Sequence, residues 1–419
     1  MSSVAPATGG ITTNTAKVPG GGGPKVANGR FTINLRQSGI YIAFAVIVLG
    51  FAIATDGKLL GFQNISNIII QNSYILVLAI GMILIIIAGH IDLSVGSVVA
   101  ATGGLAAVLM VNLDIPWPLA ILITLVAGGV IGAWQGYWVA YFGIPAFIVT
   151  LAGMLLFRAV AMQVLGNQGV GPFPDQIRTL ANGFTPGTLG NVALGPLGGA
   201  DIITLLVGIL ACAGMVVMQL RTRQARIGYK QSVEPFAMFV VRNVLAIVVI
   251  MTIVVQLARF KNLPWVLVLL AVLVIGYTLV ANRTVFGRHV YAIGGNLQAA
   301  SLSGVKVKRV TFWLFVNMGV LAAVAGIILS GRLNVALPGA GQQFELDAIA
   351  AAFIGGAAVQ GGVGRIVGAI TGGLIMAVIN NGMSLLGASP DQVMLAKGAV
   401  LLLAVALDVW AKRRAGASR

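Results

Sequence analysis

The chain has 419 residues, of which 58% are hydrophobic and 9% charged, with a formal net charge of +16. A soluble domain carries about 25% charged residues, so this composition excludes a water-soluble globular protein and makes lipid the solvent for most of the surface. The basic residues are spread over separate loops with no compact basic domain, so the charge makes no case for nucleic acid as a partner.

Residues 1–38 come first and differ from the rest. They are rich in Gly, Ala, Thr, Ser and Pro, carry Lys17, Lys25, Arg30 and Arg36, and contain no acid. No apolar stretch of signal-peptide length occurs there. The composition predicts a disordered basic tail; an organellar transit peptide shares the same features and stays open as an alternative.

A helix needs about 20 apolar residues to cross the hydrocarbon core. Candidate spans are 39–55, 67–89, 93–112, 118–141, 144–165, 199–220, 240–258, 262–282, 311–330, 347–362, 365–387 and 392–410. The expected class is therefore all-α, a polytopic membrane protein of about twelve spans (ten to twelve), with its transmembrane domain over 39–411. The spans within 347–387 are interrupted by glycines from Gly355 to Gly373 and are the hardest to delimit.

Lys and Arg concentrate in the short loops on the cytoplasmic side. Four regions hold most of the 26 basic residues. They are the tail, the 221–242 segment (Arg221, Arg223, Arg226, Lys230, Arg242), the 283–310 segment (Arg283, Arg288, Lys306, Lys308, Arg309) and the end at 412–419. An even number of spans separates each from the next, so all four fit one face and both termini are expected to be cytoplasmic. Asp56, Asp114, Asp175, Asp201, Glu345, Asp347 and Asp391 fall in the opposite loops. The Gly/Pro/Asn-rich stretch 166–198 is then an outer, periplasmic loop, and 283–310 an inner one with helix-friendly residues. Lys397 lies near an outer end, where it is expected to snorkel.

Residues 88–97 read AGHIDLSVGS, placing His90, Asp92 and Ser94 at the junction of two apolar runs. A charge at the bilayer centre costs about 2.5–3.5 kcal/mol on insertion scales. Two readings remain: Asp92 or Ser94 caps the next helix at a tight turn near the inner face, or the polar break faces a central cavity. Two glycine repeats stand out further on, Gly128–Gly132–Gly136 and Gly364–Gly368–Gly372. They mark close helix packing, or an internal duplication whose copies line a common path. Asn317, Asn380 and Asn381 either line a path or bond between helices.

Enzymatic signatures are missing. The sequence has no phosphate-cradling G-x-x-x-x-G-K-[ST] loop, only two histidines and one cysteine, Cys212, which permits no intrachain disulfide. No catalytic residue, cofactor or metal site is expected.

Residues 294–304, GGNLQAASLSG, carry Ala299, Ala300 and, four positions on, Gly304. This resembles the E-A-A-x-x-x-G coupling motif of ABC importer permeases, with Gln298 in place of the glutamate. It is accompanied, in the family's order, by AGHIDLSVGS, GIPAFIVTLAGM (143–154), FGRHVYAIGGN (286–296) and INNG (379–382). From about residue 40 to 411 the chain resembles the permeases that import ribose, xylose, galactose and related sugars. The histidine in GHIDLS and an extra hairpin around 222–260 look most like the xylose type.

The resemblance implies a transport subunit in a bacterial inner membrane, with no catalysis of its own. It implies an ABC ATPase docking on 294–305 through Asn296, Gln298, Ala299, Ala300 and Gly304. It also implies a periplasmic sugar-binding protein on the outer loops and a second permease copy completing the path. An ion-coupled secondary carrier acting without an ATPase is the competing reading.

Overall fold

The structure, a computed structural model, describes residues 35–417 apart from 188, 194–198 and 232. The tail expected over 1–38 lies outside the described residues up to residue 34, as do the last two residues.

Helices dominate because a backbone in hydrocarbon must satisfy its own hydrogen bonds. In chain order they are α1 (Leu35–Ala54), α2 (Phe62–Ile87), α3 (Val95–Ala107), α4 (Trp117–Ala140), α5 (Ala146–Leu165), α6 (Asp175–Asn182), α7 (Ile202–Gly228), α8 (Phe236–Phe260), α9 (Trp265–Arg283), α10 (Val285–Gly295), α11 (Leu297–Leu302), α12 (Val307–Leu333), α13 (Phe344–Ile354), α14 (Ile366–Leu385) and α15 (Pro390–Ala417). A π turn at Val108–Asn112 extends α3, and β1 (Asn191–Ala193) pairs antiparallel with β2 (Gly199–Asp201). Among the described residues, nine helices are long and apolar enough to cross a membrane.

Three of the twelve expected spans fall outside those nine. Within α1, Ile42–Ala54 is a shorter apolar helix. The 28-residue α15 is helical throughout, with its side chains described only in its first part. The third, expected over 347–362, is an 11-residue half-helix, α13, that ends at Gly355. It is preceded by a non-helical stretch, 334–343, which pairs Ala336 with Val170.

Two compact units are distinguishable. The smaller contains Leu210–Val249, the facing arms of α7 and α8. Within it the Arg223 guanidinium lies over the rings of Phe239 and Phe236, at 5.2 and 5.8 Å, and donates to the Glu234 carbonyl. Arg242 pairs with the Glu234 carboxylate at 2.8 Å.

The larger unit is built around α2. From Ile75 to Ile87 this helix is buried on every side, as an all-round apolar helix must be. It packs against α12, α13, α14 and α9. Helices α4, α5 and α9 instead turn large apolar side chains outward, among them Leu122, Val126, Leu155, Val272 and Ile275.

Without a hydrophobic force between helices, close approach depends on small residues. A Cβ on Gly128, Gly132 or Gly136 of α4 would meet the carbonyls of Gly319, Phe315 or Phe312 in α12 at 2.5, 2.2 and 2.8 Å. Gly368 and Gly372 of α14 bear in the same way on Gly355 and Ala351 of α13, and Gly364 lies against the side chains of Ile83 and Ile87. The two repeats thus seat different helix pairs.

The 166–198 stretch is less irregular than expected. It contains α6, whose buried Ile177 and Ala181 pack under Gly331 of α12. Just beyond it, Asp201 is fully buried and caps α7 by accepting from the Thr204 amide and hydroxyl at 2.8 and 2.7 Å.

Candidate functional site

Residues 284–306 form a helix-turn-helix between α9 and α12. The Thr284 hydroxyl caps α10 by accepting from the Gly287 amide at 3.1 Å. The Asn296 side chain caps α11, accepting from the Ala299 amide at 2.9 Å, the bond that short polar residues supply at helix starts. Gly304 closes α11 at φ +84°, with the Val305 amide donating to the Ala300 carbonyl. A Cβ at Gly304 would touch nothing within 4 Å. Glycine is needed there for its left-handed backbone, where another residue costs roughly 1–2 kcal/mol.

These caps fix what α11 presents. Ala300 is buried against the protein, whereas Leu297, Gln298 and Leu302 are exposed, Leu302 at 90%. With Tyr141, Ser301, Lys306, Val307, Lys308 and Arg309 they line an open groove of about 890 Å³. Leu302 thus stands as an apolar knob beside three cations, with no acid among the residues lining the groove. Asn296, Gln298, Ala299, Ala300 and Gly304 all belong to this one element.

The break at 88–94 is equally well defined. Helix α2 stops because Gly89 adopts φ +84°, with Gly89 N donating to Ile86 O and His90 N to Ile85 O, a glycine-closed helix end. Asp92 is 3% exposed, and its Oδ1 accepts from the Ser94 amide at 2.8 Å and the Ser94 hydroxyl at 2.6 Å. The Ser94 oxygen also accepts from Gln135 Nε2 of α4 at 2.6 Å. Neither Asp92 nor Ser94 caps α3 through its side chain; Asp92 instead makes a local Asx-type turn. The His90 ring lies 6.0 Å from that of Phe315. Truncation of Asp92 to alanine leaves two buried donors on Ser94 unmet, and should lower stability by about 1–3 kcal/mol. Asp92→Asn retains an acceptor oxygen and should cost less than half as much. Thermal unfolding of the purified variants checks the ranking, and equal melting of Asp92→Ala and wild type refutes it.

The asparagines are engaged between helices. Asn381 of α14 and Asn64 of α2 exchange reciprocal bonds of 2.9 and 2.7 Å, and Asn380 donates to Asn72 at 3.4 Å. Asn317 of α12 accepts from the Tyr277 hydroxyl of α9.

Sequence reasoning did not anticipate the charged shell around 334–354. Arg158 of α5 donates to the carbonyls of Pro338, at 2.9 Å, and Ala340, holding the non-helical stretch that feeds α13. Asp347, 4% exposed, pairs with Lys397 of α15 at 2.9 Å. Lys397 therefore does not snorkel; its ammonium turns inward to a buried carboxylate. Among the described residues, no group of His, Cys, Asp and Glu is arranged to hold a metal ion.

Comparison with known proteins now decides the family. The profile described as branched-chain amino acid transport system / permease component matches residues 64–405, most of the chain. The chain belongs to this permease family. It is similar to the xylose transport system permease protein of Escherichia coli (strain K12), 39% identical over 397 residues, covering 95% of this chain and 97% of that protein. The xylose transport system permease protein of Haemophilus influenzae is also 39% identical, over 91% of this chain and 98% of its own. The ribose import permease protein of the same species is 32% identical over 91% and 94%. No solved structure matches. The permease is accordingly a transport component and not an enzyme.

Proposed function

We propose that this chain is the membrane-spanning permease subunit of an ATP-driven ABC importer that moves a monosaccharide, D-xylose first among them, into the cytoplasm of a bacterium. The observation that carries the reading is α11: a capped, six-residue helix whose Ala300 is buried and whose Leu302 knob stands in solvent beside Lys306, Lys308 and Arg309. Such an element is built to be gripped. The ATPase subunit would grip it, with Asn296 and Gly304 holding the helix in shape and Gln298 facing the partner. The family description names amino acids, but relatives matching nearly the full length are named for xylose and ribose, which favours a sugar.

A sugar is neutral and needs hydrogen bonds but no counter-charge. The Ser94–Gln135 pair, His90 and the Tyr277–Asn317 pair offer such groups, as do Asn380 and Asn381 at the contact of α14 with α2. A periplasmic sugar-binding protein would deliver the cargo to the outer loops, α6 included. A second permease copy would complete the path, and the apolar faces of α4, α5 and α9 would meet it or lipid. The inner membrane is the expected location, with both termini cytoplasmic.

Two experiments test this. Cysteines at Arg178 of α6 and Leu302 of α11 should react with an impermeant maleimide from opposite faces of the membrane; Cys212 is buried and gives little background. Reaction from one face alone overturns the topology. In proteoliposomes, radiolabelled D-xylose uptake should need ATP, the co-purified ATPase and the binding protein together. Uptake by the permease alone, collapsing with the proton gradient, would instead establish an ion-coupled carrier.

A further inference from the structure

We infer that motion of the α10–α11 element enters the membrane helices through a backbone junction of Gly294, Ile87 and Gly362, with Gly294 as a positioning residue for coupling. This rests on the ABC-permease reading above. Gly294 sits in the last turn of α10, just before α11. A Cβ there would lie 1.6 Å from the Ile87 carbonyl oxygen and 2.5 Å from the Gly362 amide nitrogen. Gly362 N itself donates to Ile87 O at 2.8 Å. A Cβ on Gly362 would be 2.9 Å from Gly295 Cα, and one on Gly361 would be 3.0 Å from Ile87 O and 3.2 Å from Gly294 O. Gly361 and Gly362 hold φ of +81° and +72°, which lets their segment turn tightly enough to reach. Three segments therefore meet backbone on backbone, with no side chain between them.

What the junction joins matters most. Ile87 is the last residue of α2, immediately before the 88–94 break. Its carbonyl has no intrahelical partner, as at any helix end, and takes the Gly362 amide instead. Gly362 lies in the 355–365 connection that follows the half-helix α13 and precedes α14. The two segments held by α10 are thus two of the places where the inner chain leaves helical geometry. Tyr291, one turn earlier in α10, adds a second tie by donating its hydroxyl to Gly364 O at 2.8 Å. Burial raises the Tyr291 phenol above its ordinary pKa, keeping it a donor. Side chains can absorb a sub-ångström displacement by rotating about their torsions. Backbones in direct contact cannot, so a push on α11 has no slack here and must move Ile87 and Gly362 together.

The test uses the full transporter, permease with its ATPase and binding protein, in proteoliposomes with D-xylose, D-ribose or D-galactose as cargo. Uptake and ATP hydrolysis are measured in parallel for wild type, Gly294→Ala and Tyr291→Phe. Gly294→Ala should keep its ATPase on co-purification and hydrolyse ATP, while sugar moved per ATP falls about 5- to 150-fold, the range of ordinary coupling energies. Tyr291→Phe adds no volume and removes one tie; a fall at the low end of that range is expected, and it decides the matter if Gly294→Ala does not accumulate. Unchanged sugar per ATP in the accumulating variants, or uptake and hydrolysis falling in parallel, overturns the junction. Absence of ATP-dependent uptake in wild type overturns the permease reading beneath it, a result separable from the first because it needs no variant.

Discussion

Gly132→Val should abolish accumulation of folded permease, while Gly276→Val in α9 should leave yield and melting temperature within error of wild type. The substitution is the same in both. At Gly132 the new Cβ would lie 2.2 Å from the Phe315 carbonyl and 2.8 Å from the Val316 Cα. These are backbone atoms of α12, which cannot swing aside. Relief requires α4 and α12 to separate, and that seam is shared with Gly128 and Gly136. Overpacking a core ordinarily costs about 1–3 kcal/mol, and a clash against rigid backbone belongs at or above the top of that range, a large part of a total stability of about 5–15 kcal/mol. At Gly276 a Cβ meets nothing within 4 Å, so valine adds only an outward apolar group on an apolar face. Size-exclusion profiles and thermal unfolding in detergent check both. Normal accumulation of Gly132→Val would mean that α4 and α12 do not meet along this seam.

Why some of the molecule could be read from its sequence, and some not, follows from the range of the interactions. A bilayer imposes about 20 apolar residues on each crossing, and that signal is local. The helices from α2 to α5 and from α7 to α9 therefore stand close to their expected positions. The pair α10–α11 is likewise local, because Thr284, Asn296 and Gly304 carry the caps within a few residues of what they cap.

The half-helix α13 is different. AIAAAFIGGAAV lies in the expected span 347–362, which its glycines make hard to delimit, and Gly355 and Gly356, the latter at φ +91°, end the helix there. The preceding stretch is held by Arg158 from 180 or more positions away and by Val170. No periodicity encodes such partners. Gln135 is illegible in the sequence for the same reason: one amide on an apolar helix carries no signal, and its acceptor, Ser94, lies 41 residues earlier. In the sequence nothing distinguishes Gly294 from Gly295; only the closeness of Ile87 O separates it from that neighbour, whose Cβ would meet nothing.

The ion pair between α13 and α15 gives the second large effect. Lys397→Met should destabilise the permease by about 3–5 kcal/mol, because breaking a buried pair strands the remaining charge. The carboxylate left behind, Asp347, has a side chain only 6% exposed, so water cannot readily take over from the ammonium. The loss should sit toward the lower end, since Asp347 lies in the first turn of α13, where the helix dipole still favours an anion. Asp347→Leu alone should be costly as well, burying toward its neighbours an ammonium whose side chain is 20% exposed, but a lysine's long stem can carry its charge toward the interface. The double variant Asp347→Leu/Lys397→Met should recover most of the stability of wild type, because an apolar pair of similar volume removes both desolvation penalties. Thermal unfolding of the four proteins forms a double-mutant cycle whose interaction energy isolates the pair. A non-additive recovery is the expected result. If the two single losses simply add, the ammonium and carboxylate do not hold α15 to the half-helix, and that helix must be anchored by its apolar contacts with Val400 and Leu401.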